Sequence, residues 1–374
     1  MHPEPPRAHR YDVLIVGASF AGLACARRAA ELGLKVGVLE RQPWPGQTVH
    51  TTGLLVREVD ILLRAPAVLS RRIPGVRLYT PSLRHVDLDA PGYYFAATDM
   101  PALLRWYVGQ AWAAGAELHF SSAFVDGRRE SDRVLVNGGE YSARFLVGAD
   151  GARSRVATCF GLGRNRSFLL GVEAEFRNLP LAADRLHCFV DSALAPGYLG
   201  WMFEGVNGIT QVGLACKRPH KPDLGALLER LAPLADFKRA QLVEKRGGLI
   251  PVGGCVSPAA AERVLLLGDA AGLVSPLTAG GIHLAIESGL RGAELVARRL
   301  RQATPSRRPL SRSELRHPRF VWKLLLRRVL ELNLSNRWLD RLLLNAFTLR
   351  LARLIYFYRK GLTGWAGWRA LLFR

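Results

Sequence analysis

Several features of secreted and membrane-spanning proteins are absent from this sequence. The first ten residues, MHPEPPRAHR, contain no apolar stretch, so we expect no secretory signal peptide. The longest charge-poor run, residues 270–286, is broken by Gly, Pro and Ser and does not predict a membrane span. The five cysteines have neither CxxC nor metal-ligand spacing, which favours reduced thiols in a cytoplasmic protein without a metal site.

Acidic residues are also scarce, most of all near the C-terminal end. The 374 residues include 31 Asp and Glu against 52 Lys and Arg, and residues 301–374 hold 17 basic and three acidic residues. Leucines recur there at three- and four-residue spacing between arginines. We therefore predict a basic amphipathic helical tail on an anionic membrane surface, in a cytoplasmic or peripheral membrane protein. The alternatives are a helical cap with a solvated basic face and, less favoured because no recognised module is present, nucleic-acid binding.

The N-terminal region carries a glycine-containing motif between two predicted strands. YDVLIVG at residues 11–17 is continuously apolar, as expected of a strand buried on both faces. A helix ending at Gly33 follows, and LKVGVLE then predicts a second strand. This order matches a dinucleotide-binding fingerprint in which a serine takes the middle glycine position. The residues assigned to the cofactor here are Gly17, Ser19, Ala21, Gly22, Glu40 and Arg41.

The acid that ends the second strand narrows the choice of cofactor. Glu40 follows Gly17 by 23 residues and is placed to bind ribose hydroxyls. A carboxylate at this point favours FAD or NAD over NADP, because it would repel a 2′-phosphate. The alternative is an ordinary strand, turn and helix with chance glycines.

Further along the chain the predicted elements change in kind. ARFLVGADGARSRV at 143–156 predicts another buried strand that ends at Asp150, whereas residues 167–215 alternate short strands and turns. We predict an α/β fold: a Rossmann-type cofactor domain, an inserted antiparallel-sheet substrate domain and a helical C-terminal tail. The predicted boundaries are 1–65, 97–165 and 246–300 for the cofactor domain, 66–96 and 166–245 for the substrate domain, and 301–374 for the tail.

A third motif, GDAAGLVSPLTAGGI from residue 268, places one carboxylate in small, apolar sequence. Together with the fingerprint and GADG at 148–151, it resembles the FAD-binding flavoproteins of the p-hydroxybenzoate hydroxylase type. The resemblance implies that Asp269 accepts a hydrogen bond from a ribityl hydroxyl of FAD. It also implies that the helix after Gly280 and Gly281 points its N-terminus at the flavin ring, where negative charge develops on reduction.

Within that superfamily the chain is most similar to the geranylgeranyl reductase family. GDAAG continues to Pro276, Gly281 and Ile282, as in that family, and GGLIPVGG at 247–254 and GYLGWMFEGVNGITQVG at 197–213 also resemble family motifs. Some positions depart from the pattern. VHTTG at 49–53 replaces a cysteine-containing segment, and Arg105 stands in for an arginine expected nearer the start of its helix.

The resemblance implies an activity. Reduced FAD would transfer hydride to a carbon–carbon double bond of an isoprenoid, geranylgeranyl-type lipid, with NAD(P)H or a small electron-transfer protein as the reductant. The alternative is a monooxygenase or halogenase-like enzyme acting on a smaller apolar substrate. The residues implied beside the flavin ring are His50, Thr51 and Gly53.

Two sets of candidate residues can each be interpreted in two ways. His50 is a candidate proton donor, or else a polar surface residue. Tyr198, Trp201 and Phe203 line an apolar substrate pocket, or else pack as ordinary aromatic residues of a sheet.

Overall fold

A computed structural model describes residues 9–182, 184–302 and 308–357. Ten α-helices and eighteen strands occur in these ranges. The helices are α1 (Phe20–Glu31), α2 (Arg57–Leu63), α3 (Met100–Ala113), α4 (Arg155–Cys159), α5 (Leu224–Leu231), α6 (Ile282–Leu300), α7 (Arg312–Leu315), α8 (Val321–Glu331), α9 (Asn336–Leu342) and α10 (Ala346–Phe357). The strands are β1 (His9–Val16), β2 (Val36–Leu39), β3 (Leu54–Val56), β4 (Ser70–Ile73), β5 (Gly75–Tyr79), β6 (His85–Asp89), β7 (Phe95–Thr98), β8 (Glu117–His119), β9 (Gly127–Arg129), β10 (Val134–Val136), β11 (Tyr141–Gly148), β12 (Phe168–Arg177), β13 (Arg185–Phe189), β14 (Gly200–Glu204), β15 (Thr210–Lys217), β16 (Gln241–Pro251), β17 (Ala260–Ala261) and β18 (Val264–Leu266).

The first sheet has a parallel centre in the order β18–β11–β1–β2–β8. Its strands are short apolar runs, and residues 13–16 of β1 are buried, as expected of a sheet covered on both faces. Helices α1 and α6 pack closely on one side, where a Cβ at Gly289 would meet the Ala21 carbonyl oxygen at 2.5 Å. The predicted Rossmann-type fold is confirmed.

The second sheet has seven strands in the order β16–β12–β15–β14–β13–β5–β6, antiparallel except for the β13–β5 pair. A small three-stranded sheet has the order β3–β7–β4, and in sequence its strands alternate with those of the seven-stranded sheet, because β5 and β6 lie between β4 and β7. Strand β16 crosses the predicted boundary at residue 246, because its pairing with β12 continues from 241 to 251. The predicted domain boundaries remain a prediction.

One face of the seven-stranded sheet carries a cross-strand row of residues. Arg246 pairs with Glu173, Glu173 with Gly213, and Gly213 with Trp201, on four neighbouring strands. The indole of Trp201 crosses over Gly213 and donates from Nε1 to a Glu173 carboxylate oxygen at 2.6 Å. A Cβ at residue 213 would lie 2.6 Å from the Trp201 ring. Glycine is therefore required for this ring position.

The C-terminal helices pack on the rest of the protein, as the cap alternative predicts. Arg299 of α6 forms an ion pair with Glu314 of α7 at 3.1 Å. Ser82, after β5, donates its hydroxyl to Asp340 of α9 at 2.6 Å. Phe357 of α10 is buried in the same apolar cluster as Trp201. No helix in the described ranges is both long and apolar enough to span a bilayer.

We expect Gly213→Ala to destabilise the protein by about 1–3 kcal/mol, because the added methyl group collides with the Trp201 ring and with the Val172 carbonyl oxygen. Gly109→Ala in α3 is the control: a Cβ there meets no atom within 4 Å. Removing a helical glycine at such a site raises stability by about 0.4–1 kcal/mol. Urea unfolding of the flavin-loaded proteins measures both changes. Equal stability of the Gly213→Ala and wild-type proteins would contradict this packing.

Candidate active site

The carboxyl ends of β1, β11 and β18 converge at one edge of the parallel sheet. The Ala149 N–H donates to the Val16 carbonyl, and the Leu267 N–H donates to the Gly148 carbonyl, at 2.8 and 2.9 Å. Gly17 follows β1 with φ +103°, and a Cβ there would meet the Ala149 oxygen at 2.4 Å. Only glycine fits this turn, so the fingerprint and the GADG motif are packed directly against each other.

Helix α1 begins at this edge. Ser19 is its N-cap and is exposed, and its hydroxyl makes no capping hydrogen bond. The first turn, which includes Ala21 and Gly22, therefore presents backbone N–H groups and the positive end of the helix dipole to a ligand. Gly22 lets the helix approach Gly17, because a Cβ at residue 22 would lie 1.9 Å from the Gly17 oxygen. This is the arrangement that binds pyrophosphate at a helix N-terminus.

Glu40, the last residue of the fingerprint, directly follows β2. One carboxylate oxygen accepts from the Ala18 N–H at 2.8 Å and the other from the Gln42 N–H at 2.9 Å. Each oxygen can accept a further hydrogen bond, so the carboxylate is fixed in place and still able to bind hydroxyl groups. The neighbouring Arg41 is exposed.

Asp269 lies in the turn Gly268–Ala271 that follows β18. Burial raises the pKa of its carboxyl group to about 6. Among the described residues, none donates a hydrogen bond to its carboxylate, although its backbone carbonyl accepts two. A carboxylate held this way needs an outside donor, and a sugar hydroxyl supplies one.

The loop after Asp269 leads into α6. Gly281 is the N-cap of this helix, and a Cβ there would be 3.1 Å from an Asp269 carboxylate oxygen. The Gly280 carbonyl accepts from the Ser275 N–H at 3.1 Å, Pro276 is buried, and Ile282 begins the helix. The glycines therefore keep the space between Asp269 and the N-terminus of α6 free of side chains.

The segment 49–53 lies against the seven-stranded sheet. His50 is exposed, and its Nδ1 lies 3.0 Å from the Gly247 carbonyl oxygen. Thr51 is half-buried. Gly53 is buried with φ +71°, and its carbonyl accepts from the Thr98 hydroxyl at 2.7 Å.

Arg105 differs from the other candidates, because its side chain is exposed on α3 and no described residue bonds to it. Its assignment to the cofactor remains a prediction without a supporting contact.

The three aromatic candidates come together in one apolar cluster. Phe203 is fully buried, Trp201 is 8% exposed, and Tyr198 donates its hydroxyl to the Thr278 carbonyl oxygen at 2.7 Å. Since Thr278 belongs to the loop before Gly280, the hydrogen bond joins this cluster to the loop that carries the third motif. Their role as a substrate pocket remains a prediction.

Sequence reasoning missed the residues that hold the motifs in place. The Asn165 side-chain amide donates to the carbonyls of Ala152 and Asp269, at 3.1 and 2.8 Å, and so ties the second motif to the third. Glu173 holds Trp201 on one side and Arg246 on the other. Asn165 belongs to no spacing pattern, but an acid within the apolar, alternating strand GVEAEF was a usable signal for Glu173.

These features fit a bound dinucleotide with a sugar chain: glycine turns without room for a Cβ, an uncapped helix N-terminus, and two carboxylates able to accept from hydroxyls. Residues 10–211, over half of the chain, match the FAD binding domain family. The protein is thus an FAD-binding flavoprotein, as predicted.

Two relatives identify the family further, and one solved structure shares the fold. Digeranylgeranylglycerophospholipid reductase 2 of Methanothermobacter thermautotrophicus is 29% identical over 355 residues, covering 89% of this chain and 91% of the relative. Menaquinone reductase of Mycolicibacterium smegmatis is 32% identical over 315 residues, covering 77% and 76%. A geranylgeranyl bacteriochlorophyll reductase-like protein from Thermoplasma acidophilum superposes with TM-score 0.80 at 22% identity, covering 94% and 97%. The chain belongs to the geranylgeranyl reductase family of FAD-dependent oxidoreductases.

The raised pKa of Asp269, about 6, predicts a pH-dependent FAD affinity. A ribityl hydroxyl that donates to the carboxylate favours its ionised form, so protonation below pH 6 weakens binding, by up to about tenfold per pH unit. Asp269→Asn should bind FAD more weakly at neutral pH and lose this pH step. Fluorescence titration of flavin-free protein with FAD measures both effects.

The control for this titration is Asp132→Asn, because Asp132 is an exposed acid in a turn remote from the three motifs. It should keep the wild-type affinity and pH profile. If the FAD affinity of Asp269→Asn still changes with pH as in the wild type, a group other than Asp269 causes the pH dependence.

Proposed function

We propose that this protein is a reductase that saturates carbon–carbon double bonds of an isoprenoid lipid. Two relatives that match most of the chain are named for reduction, one of a digeranylgeranyl glycerophospholipid and one of menaquinone. The observation that carries the proposal is the buried aromatic face beside the third motif, where Tyr198 bonds to Thr278. Such a face suits an apolar chain and offers little to a polar substrate.

Bound reduced FAD supplies the chemistry: a hydride passes to one carbon of the double bond, and a proton reaches the neighbouring carbon. In our proposal the residues of this chain bind and orient. Asp269 and Glu40 hold the two sugar portions, the N-terminus of α1 holds the pyrophosphate, and the N-terminus of α6 stabilises negative charge on the ring.

The aromatic cluster would exclude water and align the lipid chain. Trp201 suits this role because its ring is held by a directional bond to a fixed carboxylate. Its N–H is bonded to Glu173, and Arg246 holds the same carboxylate through hydrogen bonds of 2.6 and 2.9 Å. A ring fixed in this way offers a rigid apolar wall to a flexible substrate.

His50 is our proposed proton donor. A carbonyl oxygen only accepts hydrogen bonds, so the contact with Gly247 assigns the hydrogen to Nδ1. Nε2 is then the nitrogen that gains and gives up a proton. The reductant in this proposal is transiently bound NAD(P)H or a small electron-transfer protein, because the sequence has no second glycine-rich dinucleotide fingerprint.

Anaerobic single-turnover kinetics test the activity. Photoreduced protein mixed with a geranylgeranyl lipid should reoxidise and yield the saturated chain, while a saturated lipid should leave the flavin reduced. His50→Gln should slow this reoxidation by about 100-fold, the usual effect of losing a general acid. The exposed His220→Gln is the control and should react at the wild-type rate. A hydroperoxide spectrum and an oxygenated product on exposure to oxygen, without reaction with alkenes, would instead establish the monooxygenase alternative.

We further propose that the C-terminal helices bind an anionic membrane surface. Ten of the eighteen exposed large apolar side chains among the described residues lie between 321 and 347. On α8 the exposed apolar side chains include Val321, Leu325 and Val329, which lie on the outward face and are exposed by 45–57%. Phe320, the residue before α8, packs inward. This apolar outer face lies in a strongly basic segment, a combination that suits the interface of an anionic bilayer.

Charge placed on this outer face should weaken membrane binding. Val329→Glu and Leu325→Glu each remove an apolar contact worth about 1.5–3 kcal/mol on full burial, so partitioning onto anionic vesicles should fall at least about tenfold. Val68→Glu, at an exposed valine outside the tail, is the matched control. Co-sedimentation with vesicles containing phosphatidylglycerol, at low and high salt, gives the readout.

Point substitutions are preferable to truncation here, because Phe320, Ala352 and Phe357 are part of the core. If all these proteins pellet equally with the vesicles, or if the wild type does not pellet, the proposed membrane binding is wrong. The tail would then be a structural cap alone.

A further inference from the structure

A buried arginine on the inner face of α8 lacks partners for most of its donors. The Arg327 residue is 2% exposed. Its Nε donates to a Glu331 carboxylate oxygen at 2.8 Å, one turn along the helix. Both terminal nitrogens, Nη1 and Nη2, are buried, and no described residue accepts a hydrogen bond from either. A guanidinium with four such N–H bonds is costly to bury unless something supplies acceptors.

A second cation lies beside it. Lys217, at the end of β15, places Nζ 2.6 Å from the same Glu331 oxygen and 2.6 Å from the Ser167 hydroxyl. Arg327 and Lys217 therefore share a single carboxylate, and the cluster keeps one uncompensated positive charge. Buried charges are normally paired, so the cluster lacks an anion rather than another donor.

Gly197, with φ +73°, packs against this cluster from the turn before β14. A Cβ added there would lie 3.0 Å from the Lys217 Cβ, 3.7 Å from Nη2 of Arg327 and 3.8 Å from the Glu331 side chain. The next residue is Tyr198, which belongs to the aromatic cluster. The positive charge of Arg327 partly offsets the rise that burial causes in the pKa of the Tyr198 phenol, as expected of close neighbours.

We propose that Arg327 and Lys217 form a binding site for a phosphate-class oxyanion, and that it takes the headgroup phosphate of the isoprenoid lipid. The anion site stands on the cluster itself, whereas the headgroup assignment rests on the proposed function. The planar guanidinium fork matches two oxygens of a phosphate, and the lysine ammonium matches a third. The outward face of α8 is the one proposed to lie on the membrane, and Arg327 is on the opposite face. The headgroup site would therefore be separated from the bilayer surface by the width of one helix.

Calorimetric titration of the flavin-loaded full-length protein tests the site. The probe is inorganic phosphate, titrated at constant ionic strength against a chloride blank. We expect saturable binding that falls about tenfold or more in Arg327→Gln, because charge-assisted hydrogen bonds are lost. Arg327→Lys should recover part of the affinity. Arg328→Gln, at the exposed neighbour, is the matched control and should bind as the wild type does.

Glu331→Gln provides a test in the opposite direction. Removing the shared carboxylate leaves both cations without a competitor, so phosphate should bind more tightly, by about tenfold. A purely structural role for Arg327 predicts the reverse, because this variant also breaks the helical ion pair. If the wild type shows no saturable phosphate binding beyond chloride, or if Arg327→Gln binds as the wild type does, the cluster holds water only and the proposal fails.

A soluble short-chain lipid phosphate separates the two sources of the oxyanion. Tighter binding of this probe than of inorganic phosphate, lost in Arg327→Gln, supports a headgroup site. Equal binding of both probes overturns that assignment and leaves a site for free phosphate. The reductase proposal is tested separately from the anion site. If anion binding depends on Arg327 but alkenes do not reoxidise the reduced flavin, the reductase proposal is wrong and the anion site stands.

Discussion

The parallel pairing of β1 with β11 is the constraint on which the site depends. Parallel strands end at the same edge of a sheet, and the register from Val16 opposite Gly148 brings two motifs about 130 residues apart into direct contact. Gly17 fits against Ala149 only because it has no side chain. The third motif joins through β18, which brings Asp269 to the same edge of the sheet as the uncapped N-terminus of α1.

The seven-stranded sheet solves a different problem, namely how to hold a large apolar ring in one orientation. The row from Arg246 through Glu173 to Trp201 does this with one buried carboxylate and one glycine. Arg246 and Glu173 are both almost fully buried, at 5% side-chain exposure, and compensate each other's charge. The position of the Trp201 ring is therefore set by directional bonds as well as by packing, which limits how far it can move.

The backbone geometry of much of the candidate flavin site could be predicted from the sequence, because its motifs are local and each implies a specific turn or strand end. Gly17, Glu40 and Asp269 occupy the strand ends that their patterns indicate. The role of Asn165 could not be predicted, because it depends on contact with a loop 104 residues away. An acid within an apolar strand was a signal for Glu173, but its partners Trp201 and Arg246 follow only from the register between strands. The tail was predicted as amphipathic helices, but periodicity does not show which face points inward. On α8 the inward face contains Arg327, and apolar residues such as Val329 point out.

The position of α10 in the apolar cluster has a consequence for synthesis of the chain. The FAD-binding motifs are complete once residue 300 has been made, whereas Phe357 contacts Tyr93 and Phe95 in a cluster that also holds Trp201. A ribosome adds roughly 5–20 residues per second, so the aromatic face stays uncovered for several seconds after the flavin site can form. During that interval the nascent chain exposes an apolar surface that is buried in the finished protein, and an unfolded chain is most prone to aggregate while such a surface is exposed.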